Sequence, residues 1–580
     1  MDILIQSRTY QFSLKWLHYV LISLTVIVIS ISFLWGLPLE MPMGDSYIHF
    51  LYARNLVQYK ELAFNPGLQE GIGTSSILWV LVLAVFQAMG ISPLIMAKIL
   101  GVSFLILCGL LVFELTQQLL TQQAQQKRYL IATAISIVAV CSGSMMWLAL
   151  SGMETLLFLF LGLLCLWLYY RESWALLGVA LGLLALTRIE GITLAGIVTL
   201  VELIRRRRID RILVKILAPL TLILIPWFLY LQIREGAPIS TSFAGRQFVV
   251  SEVNQRIITQ FPIFYWLQKF NPLIHFIVWA FYTLMYIAGS ASLPGPKFHL
   301  GGNLVGTELV VPVASILISL LCLPIIYLSL KHFFGSIKTL SFSESNQRLQ
   351  IVMISWVFVF NLAFAICLPR PGAAGRYVPM NHMLFWTSLF VGSMLIRRNK
   401  FRMISLCFVI LLFGISINYW RTVYHANIDF LVNVRKPAAV YIDQQVPADA
   451  RIATTDLGAI GFYAKQPVVD LFGHINKDIN HFLAESGGFS DYLEKEGICY
   501  LMLFGSLDNA GMDIAKEMGI LEDPRFNLIV EKSFSVAVDE WTIGSGPVQN
   551  YMPVVNIYRV NWQNPAVCPP FNSTGLSNQD

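Results

Sequence analysis

Long apolar runs, separated by short polar clusters, fill the chain from Trp16 to about residue 420. Runs of this length cross about 30 Å of hydrocarbon as helices. The pattern predicts spans near 16–37, 94–117, 129–149, 155–170, 174–188, 190–204, 211–232, 309–330, 349–368, 379–396 and 401–420, of which 174–188 and 190–204 are short. Two more apolar stretches, 75–91 and 274–290, either lie in the interface, re-enter or span, so about 11–13 transmembrane helices are expected. The pattern then changes. Short apolar runs at 451–455, 467–472, 498–504, 527–530 and 555–560 alternate with turns and with predicted helices near 433–445, 477–495 and 509–519. That mixture reads as a small α/β domain. The expected fold is an all-α polytopic membrane domain over 1–424, a small extracytoplasmic α/β domain over 425–568, and a polar, disordered tail over 569–580.

Lys and Arg clusters mark cytoplasmic helix ends. They occur at Arg8/Lys15, Lys127/Arg128, Arg171, Arg205 to Arg208 with Arg211, Lys331/Lys338/Arg348, and Arg397/Arg398/Lys400/Arg402. One threading satisfies them all, with the N-terminus inside and the C-terminal domain outside. The first apolar block is too long for a cleaved leader and lacks a small-residue exit, so it reads as a retained span. Of the 580 residues 56% are hydrophobic and only 13% charged, which excludes an ordinary soluble domain. A net charge of +6, spread along loop ends, gives no ground for nucleic-acid binding. Most cysteines lie in apolar blocks. Cys499 and Cys568 fall in the C-terminal region and either pair or, since Cys499 sits in a strand-like apolar run, stay as thiols.

The predicted first external loop, 38–92, is rich in chemistry. It reads Asp45-Ser46-Tyr47-Ile48-His49-Phe50-Leu51-Tyr52-Ala53-Arg54-Asn55, then Phe64-Asn65-Pro66-Gly67, then Glu70-Gly71-Ile72-Gly73-Thr74-Ser75-Ser76-Ile77-Leu78-Trp79. Asp45 suits a general base acting on an acceptor hydroxyl, or else a helix cap. Arg54 suits a bidentate phosphate contact, or else a snorkelling interfacial cation. Tyr47, Asn55, Asn65, Glu70, Thr74 and Ser75 supply polar groups around them, and Thr74 or Ser75 also suits the cap of the helix that follows.

Later clusters fall on the same predicted face. Glu154 separates two apolar blocks and offers a second acid. Arg188 and Glu190 interrupt about thirty apolar residues, either as an internal structural pair or lining a cavity. Arg246 and Arg376 end external loops and are candidates for a donor phosphate. His382 lies one turn into the next helix and either serves the cavity or packs. No metal-ligand spacing, phosphate loop or Gly-x-Ser-x-Gly motif is present. No cofactor is therefore assigned, although a divalent cation is compatible with the acids.

These residues resemble the GT-C class of integral-membrane glycosyltransferases. Within it the loop resembles the mycobacterial-type terminal arabinofuranosyltransferases and their flagellar-motor-control relatives. The likeness rests on Asp45, Tyr47, Ile48, Phe50 and Tyr52 to Asn55, then Phe64 to Gly67, Glu70, Gly71, Thr74, Ser75, Leu78 and Trp79. Ser151 to Thr155, Thr187 to Gly191, Pro238 to Arg246, Gly375 to Tyr377, Asp456 to Tyr463 and Val469 to Gly473 extend it over most of the chain. Two departures stand out: Gly44 replaces a leading acid, and Arg246 stands where a Lys is common. The resemblance implies transfer of a sugar, such as a pentofuranose, from a polyprenyl-phosphate donor. The acceptor would be a glycan, lipid or protein hydroxyl at the outer face. Asp45 would be the base, Arg54, Arg246 and Arg376 would hold the phosphate, and Glu154, Arg188 and Glu190 would shape the pocket. The alternative is a non-enzymatic membrane protein, either a lipid-linked-sugar transporter or an assembly factor. A transporter would be expected to show internal repeats, and none is found.

Overall fold

The computed structural model describes residues 2–68, 70–120, 123–238, 240–242, 297–300, 309–336, 344–367, 373–476, 478–479, 482, 488–505, 519–521, 523–536 and 554–568. The predicted span 274–290, all but the last residue of the helix predicted near 509–519, Arg246 and the tail 569–580 lie outside these residues.

Most of the described residues up to Phe430 form a helical bundle. Its elements are α1 (Asp2–Leu34), α2 (Asp45–Gln58), α3 (Ile77–Ala88), α4 (Pro93–Leu119), α5 (Gln125–Val140), α6 (Gly143–Leu150), α7 (Thr155–Tyr170), α8 (Trp174–Thr187), α9 (Ile192–Arg206), α10 (Arg211–Glu235), α11 (Val313–Ser336), α12 (Ser345–Cys367), α13 (Pro379–Met394) and α14 (Asn399–Phe430). Among the described residues six helices are long and apolar enough to cross a membrane, or seven if α5 and α6, bent by 61°, form one broken span. The segments predicted as spans over 155–170, 174–188 and 190–204 are helices of only 16, 14 and 15 residues. The stretch 75–91 is a 12-residue helix. One face of these short helices packs into the bundle, while Leu81, Val85, Leu176, Leu200 and Ile204 on other faces stay exposed. Leu156, Leu159, Leu166, Leu177, Leu181 and Leu184 are all buried. By contrast Val28, Leu222, Ile233 and Ile410 of the long helices are exposed, as a lipid-facing surface requires.

Small residues let the helices approach closely. A Cβ on Gly101 of α4 would sit 1.9 Å from Ala149 O, and one on Gly178 of α8 would sit 2.3 Å from Ile216 O. Asp210 starts α10 by accepting from the backbone of Ile212 and Leu213, and Gly236 ends it in the left-handed region at φ +75°.

The last spanning helix does not stop at the membrane. α14 runs through a π-helical turn, Leu431–Arg435, into α15 (Lys436–Gln445), forming one 47-residue rod, Asn399–Gln445. The division near 424 thus falls inside a continuous helix. Beyond it lies a five-stranded mixed sheet of β3 (Arg451–Thr454), β4 (Val468–Asp470), β5 (Ile498–Gly505), β6 (Phe526–Ser535) and β7 (Val554–Trp562), in the order β4-β3-β5-β7-β6. β4, β3 and β5 are parallel, while β7 pairs antiparallel with β5 and β6. α16 (Gly458–Tyr463) and α17 (Phe489–Lys495) accompany the sheet. The predicted strands are all present. A short hairpin of β1 (Lys297–Leu300) and β2 (Leu309–Pro312) precedes α11. Cys499 and Cys568 form a disulfide with Cα atoms 5.6 Å apart, so the thiol alternative does not hold.

Candidate functional site

α2 lies at the polar end of the bundle, wedged between α3 and the C-terminal domain. Its body is buried on Tyr47, Phe50, Leu51 and Tyr52, which fixes its rotation. Gly44 occupies the cap and makes no side-chain bond there, so Asp45 is a first-turn acid rather than the cap itself. Its carboxylate Oδ2 lies 2.7 Å from Arg376 Nη2, with side-chain exposures of 40% and 7%. The acid therefore opens outward from a buried cation. Arg376 follows a tight turn in which Ala374 and Gly375 both have positive φ, +54° and +68°.

A second ion pair stands behind the first. Glu154 Oε1 lies 3.0 Å from Arg188 Nη1, and Arg188 Nη2 lies 3.0 Å from Glu190 Oε1. Glu154 is wholly buried and Arg188 is 4% exposed. Tyr377 joins the two pairs. Its ring is 4.9 Å from the Arg376 guanidinium and 4.8 Å from that of Arg188, and its hydroxyl accepts from Arg376 Nη2 at 2.9 Å. On the far side His49 Nε2 is 3.4 Å from Glu154 Oε2, and His49 Nδ1 is 2.9 Å from Thr74 Oγ1. Burial alone would raise the Glu154 carboxyl. The His49 hydrogen bond and the charges of His49 and Arg188 outweigh it and hold the group well below the usual carboxylate range.

Asp45, Arg376, Arg188, Glu154 and Glu190 thus form one connected group, with Thr74 at its edge. The other candidates do different things. Arg54 donates to Phe462 O at 2.8 Å and Gly461 O at 3.4 Å and stacks on the Phe462 ring, so its donors hold α2 to the C-terminal domain. Asn55 donates to Ala63 O and Phe64 O, closing its own loop. Asn65 bonds both the N–H and the carbonyl of Val468, which extends the sheet at β4, and its amide also meets Glu70 Oε1 at 2.5 Å. Glu70 lines a cleft of about 270 Å³ with Arg451, Asn476 and Glu496, between loop and domain. Burial pushes its carboxyl up to about 7, although Asn65 and Arg451 pull the other way. Tyr47 hydrogen-bonds Glu40, which also accepts from Tyr463 at 2.9 Å. Ser75 is half-buried, and Ser76 rather than Thr74 or Ser75 caps α3 by accepting from Trp79 N. His382 Nδ1 is 2.7 Å from Ser144 Oγ, a buried packing contact.

The sequence reading missed His49, Tyr377 and Glu40. His49 had a readable signal, since it stands four residues after Asp45, one helical turn along. Among the described residues no three His, Cys, Asp or Glu side chains converge to hold a metal ion, so no step is assigned to one.

Several proteins share features with the chain. A family model described as a domain of unknown function, DUF8728, matches residues 422–557. No curated protein matches. Solved structures do. The Archaeoglobus fulgidus oligosaccharyltransferase with a tethered acceptor peptide aligns over 91% of this chain and 74% of its own, at 12% identity and TM-score 0.49. ArnT from Cupriavidus metallidurans bound to undecaprenyl phosphate aligns over 95% and 99%, at 13% identity and TM-score 0.45. The mycobacterial arabinofuranosyltransferase AftD aligns over 94% and 42%, at 11% identity and TM-score 0.39. Identities and scores this low decide neither reaction nor substrate.

Proposed function

We propose that this chain is a GT-C glycosyltransferase that takes a sugar from a polyprenyl-phosphate donor. Transfer would occur at the outer face of a bacterial inner membrane, to a hydroxyl of a glycan, lipid or protein. A pentofuranose such as arabinofuranose is the donor sugar we favour. The observation that carries the reading is the Asp45–Arg376 pair, a half-open carboxylate held at 2.7 Å by a buried guanidinium at the polar end of an apolar bundle.

The chemistry follows from the two partners. In an inverting displacement the acceptor oxygen attacks the anomeric carbon, and the bond from that carbon to the phosphate oxygen breaks. Asp45 takes the acceptor proton as the new bond forms. The polyprenyl phosphate leaves with growing negative charge, which Arg376 stabilises from a site where water is largely excluded. Arg246, outside the described residues, is the second cation proposed for that phosphate. An incoming phosphate competes with Asp45 for Arg376. Donor binding then loosens the carboxylate from its cation and raises its basicity when acceptor arrives. Glu154, Arg188 and Glu190 form the wall behind, and their mutual neutralisation keeps that wall rigid.

The deciding experiment is transfer from radiolabelled polyprenyl-phosphate pentose in membranes, wild type against Asp45→Asn at matched expression. Transfer by wild type and its loss in the variant support the reading. Equal transfer by both would move the base to Glu154. No transfer from pentose or hexose donors would favour the non-enzymatic reading.

A further inference from the structure

Gly44, immediately before Asp45, has an ordinary helical backbone at φ −60° and ψ −42°. Its missing side chain is not required by its backbone. It is required by what lies against it. A Cβ at Gly44 would sit 2.6 Å from Arg435 Nη1 and 3.1 Å from Asp456 Oδ1. In the opposite direction, a Cβ on Gly458 would sit 2.1 Å from Gly44 O. Two glycines therefore allow the chain at Gly44 to rest on a charged pair from the C-terminal domain.

That pair is built with care. Arg435 Nη2 and Asp456 Oδ2 are 2.8 Å apart and only 13% and 16% exposed. Asp456 Oδ1 accepts from Gly458 N at 3.1 Å, which fixes the start of α16. The Arg435 guanidinium lies over the rings of Phe430 and Phe504, at 4.8 and 5.3 Å. Arg435 is the last residue of the π-turn, and such turns re-aim the side chains that follow. The next residue, Lys436, reaches Glu40 at 2.6 Å, four residues before Gly44 in sequence. A mostly buried ion pair is weak evidence for stability, because desolvation offsets most of the attraction. What it supplies well is a fixed geometry.

We infer that Arg435 and Asp456 are positioning residues for Asp45. They clamp the peptide at Gly44 and so set the direction of the carboxylate from the C-terminal domain. This inference rests on Asp45 being the base, and its test separates the two.

In full-length protein carrying Cys407→Ser, position 45 is changed to Cys and its reaction with a membrane-impermeant maleimide is timed. Asp456→Asn and Arg435→Gln should each raise the labelling rate about five-fold or more. The same two substitutions, on the native Asp45 background, should lower kcat about ten-fold while the donor KM stays within about two-fold. Asp456→Glu should restore part of both readouts. Unchanged labelling with unchanged kcat would overturn the inference. A loss of kcat with unchanged labelling would also overturn it, by giving the pair a chemical role. Altered labelling in a protein that transfers no sugar would leave the clamp standing and remove the glycosyltransferase reading instead.

Discussion

Two ion pairs of the same composition, acid with arginine, stand on either side of one tyrosine ring, and they differ in access to water. Asp45, paired with Arg376, is 40% exposed, whereas Glu154, paired with Arg188, is wholly buried. Burying both members of a pair is costly, and removing one member then leaves an uncompensated charge. The outer pair can exchange partners with a ligand. The inner pair cannot without the fold giving way. The same two chemical groups, a carboxylate and a guanidinium, are thus divided by environment into a pair open to exchange and a pair that supports the fold.

The largest expected effect breaks this contrast in function. Asp45→Asn should lower transfer about 100- to 10,000-fold, the range of a general base, while the thermal midpoint in detergent hardly moves. Glu154→Gln should do the reverse, destabilising the protein by about 3–5 kcal/mol as expected when a buried pair loses one partner. Thermal unfolding of both variants in one detergent checks this, and equal midpoints would abolish the distinction. Next in size, Arg376→Lys keeps the charge but loses the planar guanidinium whose Nη2 meets both Asp45 and Tyr377, so the donor KM should rise about ten-fold. Tyr377→Phe keeps the ring between the two guanidiniums and removes only the acceptor for Arg376. Its effect on transfer should be about two- to five-fold, the scale of one hydrogen bond, and an effect as large as that of Arg376→Lys would show that the ring is not the part that matters.

The smallest effect concerns pH. Burial raises the Glu70 carboxyl to about 7 in the folded chain, above the ordinary glutamate value of 4.5. The folded state therefore binds more protons between those values. Glu70 contributes stability below the unfolded value, and that contribution is lost as pH rises through about 7. Glu70→Gln should flatten the fall in thermal midpoint between about pH 5 and about pH 8, leaving the slopes of Asp45 and Glu154 variants unchanged.

How much of this could be read from the chain depends on how local each feature is. The strands of the C-terminal domain were legible because alternation and turn residues are properties of neighbouring positions. The first loop was legible as a polar cluster after an apolar block. The partner of Asp45 was not, since Arg376 lies 331 residues away and nothing local joins them. Arg54 is ambiguous in sequence because a guanidinium that grips backbone carbonyls has the same signature as one that awaits a phosphate. The short helices α7, α8 and α9 pose a related ambiguity. Apolar runs of 16, 14 and 15 residues look alike whether lipid or protein surrounds them. Gly44 is the clearest case. As sequence it reads as a lost acid. In three dimensions its place is filled by Arg435 and Asp456, which arrive from the other end of the chain.

The rod Asn399–Gln445 sets the phase between membrane and domain. Each residue added to an α-helix turns everything beyond it by about 100° and advances it about 1.5 Å. A single insertion near 421–430 would swing Arg435 and Lys436 away from Gly44 and Glu40 together, with every side chain of the site unchanged. The π-turn Leu431–Arg435 is itself a local change of that phase, placed one residue before Lys436. Helix length, in this molecule, is a coordinate of the candidate site.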